Sequence, residues 1–230
     1  MHANEFSLRQ PLEVFLLQAI VFANGELELP ANWKDLLGAT DLILAADGGS
    51  QHLRSLGLKA DALVGDLDSI SAEDRAVLEQ AGTELLSYPP EKDQTDLELA
   101  LNEAKKRGAE QIYVLGGLGR RWDHSFANLM LTAQPGLRDL RITFLHGAQR
   151  LFLFRDELEL AEEPGMRLSL IPVGGDVKGV RTAGLRYPLN REDLPFGSSR
   201  GVSNVVAEQQ QRIELEEGLL LCVLSPGDLN

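Results

Sequence analysis

Apolar residues along the chain gather into short continuous runs: QAIVFA (18–23), LILAA (42–46), ALVG (62–65), ELLS (84–87), QIYVL (111–115) and LRITFL (140–145). Continuous runs of this length predict strands that are covered on both faces. Most of the intervening segments read as helices. The one after VGDLDSI begins SAED, with Ser71 able to cap it and Gly82 able to stop it. The clearest is TDLELALNEAKKRG, where Leu97, Ala100, Leu101 and Ala104 fall at i, i+3, i+4 and i+7, basic residues fill the last turn and Gly108 terminates. Strand and helix in alternation predict a mostly parallel sheet flanked by helices, a Rossmann-like α/β unit over residues 14–147. The pattern changes near residue 147. Beyond it LFLF (151–154), RLSLIP (167–172), RIEL (212–215) and LLLCVL (219–224) follow one another with Gly and Pro between them, and no helix pattern intervenes. Residues 148–230 therefore read as a smaller all-β unit.

Charge narrows the function classes. The 230 residues carry a formal net charge of -13, which argues against non-specific nucleic-acid binding and against an electrostatic membrane anchor. A polyanionic ligand would have to be neutralised locally, by a metal or a few arginines. Cys222 is the one cysteine and sits in an apolar run, as expected in a reducing compartment. The N-terminus has no signal pattern and the apolar runs are short, so the expected location is the cytoplasm.

Four polar patches follow apolar runs. In VGDLDSI, Asp66 and Asp68 are two residues apart; in an extended segment both would face one side and could share a divalent cation. The plainer alternative makes Asp66 a turn residue and Asp68 a cap. In EKDQTDLE, Thr95 and Glu98 form a capping box, which leaves Lys92, Asp93 and Asp96 to account for. Asp96 could be a third metal ligand and Lys92 could meet a phosphate. In LGGLGRRWDHSFANL, glycines would admit phosphate oxygens to the backbone while Arg120 and Arg121 supply bidentate hydrogen bonds. No P-loop or dinucleotide fingerprint is present, and the alternative makes Asp123 a cap and the arginines a solvated face. ADGGSQHL again places Asp47 and glycines after a strand. In a parallel sheet all four patches would collect at one rim.

Through ADGGSQHL, DALVGDLDSI, EKDQTDLELAL, GGLGRRWDHSFAN, SLIPVGGDVKGVRTAGLRYPL and GVSN, the chain resembles the thiamine pyrophosphokinase (thiamine diphosphokinase) family from about residue 18 to its end. The resemblance implies an α/β nucleotide-binding catalytic domain followed by a β-sandwich thiamine-binding domain. It implies a homodimer with its active site in a cleft at the interface, and transfer of a diphosphoryl group from ATP to the thiamine hydroxyl with release of AMP. Asp66, Asp68 and Asp96 match the Mg²⁺-binding and catalytic acids. Asp47, Gln94, Thr95, Arg121 and Asp123 match positions lining the nucleotide and catalytic site, joined on the nucleotide side by Gly48, Lys92, Asp93, Gly117 and Arg120. Ser203 and Asn204 of GVSN, with the aromatic Tyr187, match the thiamine side. Two features depart from the pattern: Arg120 replaces the second glycine of a GGRxDH loop, and the segment before Gln18 is longer than the pattern needs. Competing readings are a diphosphokinase for another heterocyclic alcohol such as a hydroxymethylpterin, a non-catalytic nucleotide- or thiamine-binding regulator, and a metal-dependent phosphatase.

Overall fold

The computed structural model describes residues 16–68, 70–119 and 121–227; Arg120 and most of the segment before Gln18 lie outside them. Strands β1 (Gln18–Phe22), β2 (Leu42–Ala46), β3 (Ala62–Gly65), β4 (Glu84–Ser87), β5 (Gln111–Leu115) and β6 (Arg141–His146) lie parallel in the order β4-β3-β2-β1-β5-β6. Helices α1 (Trp33–Gly38), α2 (Gly49–Ser55), α3 (Ala72–Gln80), α4 (Asp96–Lys106) and α5 (Trp122–Leu131) connect them.

The strands are apolar throughout because they serve two cores. In β1, Ala19 and Val21 face a core that includes Leu97, Ala100, Leu101 and Ala104 of α4. Ile20 and Phe22 face the opposite core, which Leu53 of α2 closes. The apolar face expected of α4 is buried, with Ala100, Leu101 and Ala104 at 0% exposure. Thr95 accepts a hydrogen bond from Glu98 N at 3.2 Å, as a cap should. The Glu98 carboxylate takes the Gln94 side-chain amide at 3.0 Å.

The second half is a β-sandwich, and one of its two layers continues the parallel sheet. After Gly147, β7 (Gln149–Phe154) turns back antiparallel on β6. The strands β8 (Glu157–Leu160), β9 (Arg167–Pro172), β10 (Val177–Ala183), β11 (Asn190–Leu194), β12 (Asn204–Val205), β13 (Gln211–Glu214) and β14 (Leu220–Ser225) complete it. Three of them extend the large sheet in the order β12-β9-β14-β7-β6, while β11-β10-β13-β8 form the second layer. Phe154, Leu168, Leu170, Leu220, Cys222 and Leu224 from one layer pack on Val177, Val180, Leu194 and Ile213 from the other. The run LLLCVL is continuous because Leu221 joins the α/β core while Leu220, Cys222 and Leu224 join the sandwich core.

Strands β8, β10, β11 and β12 escape a search for apolar runs. The outer face of the second layer is wet and carries ion pairs such as Lys178–Asp193 (3.2 Å) and Arg212–Glu157 (3.0 Å). Alternate positions there are charged. Among the described residues no helix is long and apolar enough to cross a membrane.

Candidate active site

The order of the parallel strands reverses between β1 and β5, and a crevice opens at such a point beyond the carboxyl ends of the strands. Gly25 N donates to Gly116 O there at 2.6 Å, joining the loops after the two strands. A cleft of about 1030 Å³ occupies this rim. Of the residues anticipated for nucleotide and metal, Asp47, Asp66, Lys92, Gln94, Thr95, Asp96, Gly117 and Arg121 line it.

The acids converge from three loops. Asp47 follows β2 and Asp66 follows β3, and Asp47 N donates to Val64 O at 2.8 Å. Asp47, Asp66 and Asp68 each offer a carboxylate oxygen, and these atoms lie within 4.8 Å of one another. The pair in VGDLDSI does not converge through an extended backbone, as the sequence spacing suggests. Leu67 between them is left-handed at φ 57°, and Asp68 N donates back to Asp66 Oδ1 at 3.2 Å. Asp96, in the first turn of α4, comes up beside Gly65 as Asp47 does. A Cβ on Gly65 would stand 3.0 Å from Asp47 Cβ and 3.3 Å from Asp96 Oδ1, so any larger residue would crowd both acids. Asp96 Oδ1 is buried and receives no aligned hydrogen bond among the described residues, although Lys92 Nζ stands 2.9 Å away as an ion-pair partner.

Three converging carboxylates with a fourth whose buried Oδ1 is poorly hydrogen-bonded make an all-oxygen donor set suited to a hard divalent cation, so the residues present fit Mg²⁺. Asp47 belongs with Asp66 and Asp68 in that set by geometry, whereas the sequence reading placed it among residues lining the site.

The glycine loop after β5 is held from α5. Asn128 Nδ2 donates to Gly117 O at 2.7 Å, and Ser125 Oγ accepts from Gly119 N at 3.1 Å. Gly117 itself is required by the core, since a Cβ would meet Phe144 and Val114 side chains at 2.8 Å. Arg121 and Asp123 are exposed and paired at 2.6 Å; the Arg121 hydrogen bond holds the Asp123 carboxyl below the usual carboxylate range. Asp123 is thus a first-turn residue of α5 and not its cap.

Gly48 directly precedes α2 and Asp93 is exposed in the turn before α4; neither lines the cleft. Arg120 lies outside the described residues. Tyr187, Ser203 and Asn204 belong to the sandwich, and none of them lines the cleft of the same chain. Asn204 brackets the backbone of Tyr187, accepting from its N at 3.1 Å and donating to its O at 2.7 Å. Ser203 is left-handed at φ 59° and Tyr187 is 56% exposed.

The cleft also takes in Asn24, Gly25 and Glu26 after β1, and His52 on α2. His52 Nε2 donates to Gly25 O at 3.0 Å, tying α2 to the β1 loop. The rule that found the other patches, polar residues after an apolar run, points to Asn24–Gly25–Glu26 as well once it is applied to QAIVFA.

The profile of the thiamin pyrophosphokinase catalytic domain matches residues 33–144, and that of the vitamin B1 binding domain matches residues 157–220. The thiamine pyrophosphokinase of Bacillus subtilis (strain 168) is 30% identical over 196 residues, spanning 83% of this chain and 92% of that protein. A thiamine pyrophosphokinase of Oryza sativa subsp. japonica is 28% identical over 194 residues, spanning 80% of this chain and 72% of its own. The crystal structure of the Bacillus subtilis protein superposes with a TM-score of 0.79 at 28% identity, over 91% of this chain and 99% of that one. With sequence, fold and the order of its two halves in agreement, the chain belongs to the thiamine pyrophosphokinase family.

Proposed function

We propose that the chain transfers the diphosphoryl group of ATP to the hydroxyl of thiamine, giving thiamine diphosphate and AMP, with residues 14–147 as the catalytic unit and 148–230 as the thiamine-binding unit. The observation that carries this reading is the convergence of Asp47, Asp66 and Asp68 within 4.8 Å, with Asp47 and Asp66 lining a cleft that the glycine loop after β5 also lines. The triphosphate would be met by the backbone of that loop and by Lys92, Gln94, Thr95 and Arg121, which line the same cleft. Mg²⁺ held by Asp47, Asp66 and Asp68, with Asp96 beside them, would neutralise the phosphates and stabilise the AMP leaving group.

The chemistry is an in-line displacement. The thiamine hydroxyl oxygen bonds to the β-phosphorus while the bond from that phosphorus to the α,β-bridging oxygen breaks, and AMP departs with that electron pair. The hydroxyl proton passes to a carboxylate, for which we assign Asp68, the exposed member of the acidic cluster. Arg121, two-thirds exposed and released from Asp123, swings onto the transferred group and offsets charge developing there. Because phosphoryl transition states are loose, positioning and electrostatics outweigh base strength.

Thiamine is cationic, and an acidic, aromatic-edged site suits it. Tyr187 and Ser203 do not line the cleft of their own chain, and in the homodimer proposed here a second copy would bring them to the phosphates. Exposed apolar side chains that a homodimer could cover include Trp122 (86%) and Phe126 (66%) on α5, and Tyr187 (56%) and Phe196 (64%) in the sandwich. The chain acts in the cytoplasm, where ATP and reduced thiols are present. Incubation with ATP, Mg²⁺ and thiamine, followed by separation of products, tests the reaction. AMP with thiamine diphosphate supports it, whereas ADP with thiamine monophosphate refutes diphosphoryl transfer. Asp68→Asn should abolish turnover with the fold intact, and near-normal turnover would show that Asp68 does not accept the proton.

A further inference from the structure

We propose that Leu67 is a positioning residue whose buried side chain holds Asp66 and Asp68 in their metal-binding arrangement; this rests on the reading of Asp47, Asp66 and Asp68 as metal ligands. Leu67 is one of the few non-glycine residues with a left-handed backbone, at φ 57°. Leucine resists that conformation, because its Cβ crowds the following carbonyl and it has no polar side chain to bond the local backbone, as Asn or Asp would. Something must hold it there. Its side chain is 2% exposed, inside the core formed with Phe22, Leu53 and Leu63.

The consequences for the acids are direct. With Leu67 pointing into the core, its two neighbours are turned to the rim, where Asp66 Oδ1 accepts the Asp68 N–H at 3.2 Å. The turn continues with Ile70 N donating to Leu67 O at 3.4 Å. Leu53, in the same core, sits on α2, which begins two residues after Asp47. One apolar cluster thus fixes both loops that deliver the three carboxylates. A strained residue that is over-determined by packing and lies between two functional side chains is the expected form of such an anchor.

Two kinds of change separate anchoring from general stability. Leu67→Gly frees the backbone for the left-handed conformation and removes the anchor, whereas Leu67→Met keeps a long apolar side chain. Leu63→Ala, on β3 and 1% exposed, removes bulk from the same core without touching the turn. The readout is Mn²⁺ binding to the nucleotide-free full chain, measured by titration calorimetry alongside thermal melting. The affinity of Leu67→Gly should fall by at least about tenfold, as it does when groups supporting metal ligands are removed. Leu67→Met should stay near wild type, and Leu63→Ala should melt earlier yet keep its Mn²⁺ affinity. Should Leu67→Gly not fold, Leu67→Ala below its melting temperature carries the same expectation. Unchanged Mn²⁺ affinity in the Leu67→Gly and Leu67→Ala variants, or an equal loss in Leu63→Ala, overturns the proposal while leaving the metal site standing. Absence of Mn²⁺ binding by the wild type overturns the metal reading itself.

Discussion

Lys92 offers a test in which two affinities move in opposite directions. Its ammonium stands 2.9 Å from Asp96 Oδ1, with the lysine and aspartate side chains 15% and 30% exposed. A cation at that oxygen competes with any metal drawing on Asp96. At this separation the bare Coulomb attraction is about 1.4 kcal/mol in bulk water and about 6 kcal/mol at an effective dielectric of about 20. Partial exposure and the entropy of holding a lysine reduce the net figure to about 1 kcal/mol. Lys92→Met keeps the aliphatic stem and removes the charge, so Mn²⁺ should bind the nucleotide-free protein about fivefold more tightly. If Lys92 meets a phosphate as proposed, the same substitution removes a charge-assisted contact of about 1.5–3 kcal/mol, so ATP should bind at least about tenfold more weakly. Titration calorimetry with each ligand separately measures both. Metal affinity that stays level or falls would refute the competition, and unchanged ATP affinity would take Lys92 off the phosphates.

Three further outcomes are expected. Glu103 is 7% exposed and bonded to Arg107 at 2.8 Å and Lys106 at 3.4 Å. Glu103→Ala should cost about 2 kcal/mol, less than a fully buried pair because Glu84 keeps Arg107 partnered. Thermal melting should show a loss of roughly 4–8 °C, and an unshifted Tm would contradict it. Burial pushes the Cys222 thiol up to about 12, so iodoacetamide at pH 8 should label the protein only after unfolding. The unfolded chain sheds that proton at the ordinary value near 9 while the folded chain retains it, so this group should lower stability as pH rises from about 9 to about 12. Labelling of the native protein would show that the sandwich core opens. Charging the exposed pair, Trp122→Glu with Phe126→Glu, should leave the melting temperature nearly unchanged and convert a dimer to a monomer by light scattering; a persistent dimer would move the interface elsewhere.

The α/β half was legible because each strand feeds two cores. Ile20 and Phe22 serve one and Ala19 and Val21 the other, so the strands read as unbroken apolar runs. Strands of the sandwich's outer layer were harder to read, since Arg191 and Asp193 of β11 face solvent and interrupt any such run. The strand-end rule located most of the cleft. It could not group Asp47 with Asp66 and Asp68, because only the pairing of β2 with β3 brings them together. Nor does leucine signal a left-handed turn in the way glycine or asparagine does, so the bend that aims the two aspartates was not foreseeable from VGDLDSI. That Tyr187 and Ser203 do not line the cleft of their own chain is likewise invisible in GLRYPL and GVSN, since it depends on the three-dimensional arrangement of the two halves.

Convergence of acids from separate loops on one metal–triphosphate complex is best tested by the anomalous scattering of Mn²⁺ in crystals grown with a non-hydrolysable ATP analogue. The account predicts a peak held by Asp47, Asp66 and Asp68, beside Asp96, and bridged to the phosphates. Manganese bound by phosphate alone, away from all of these carboxylates, would contradict it.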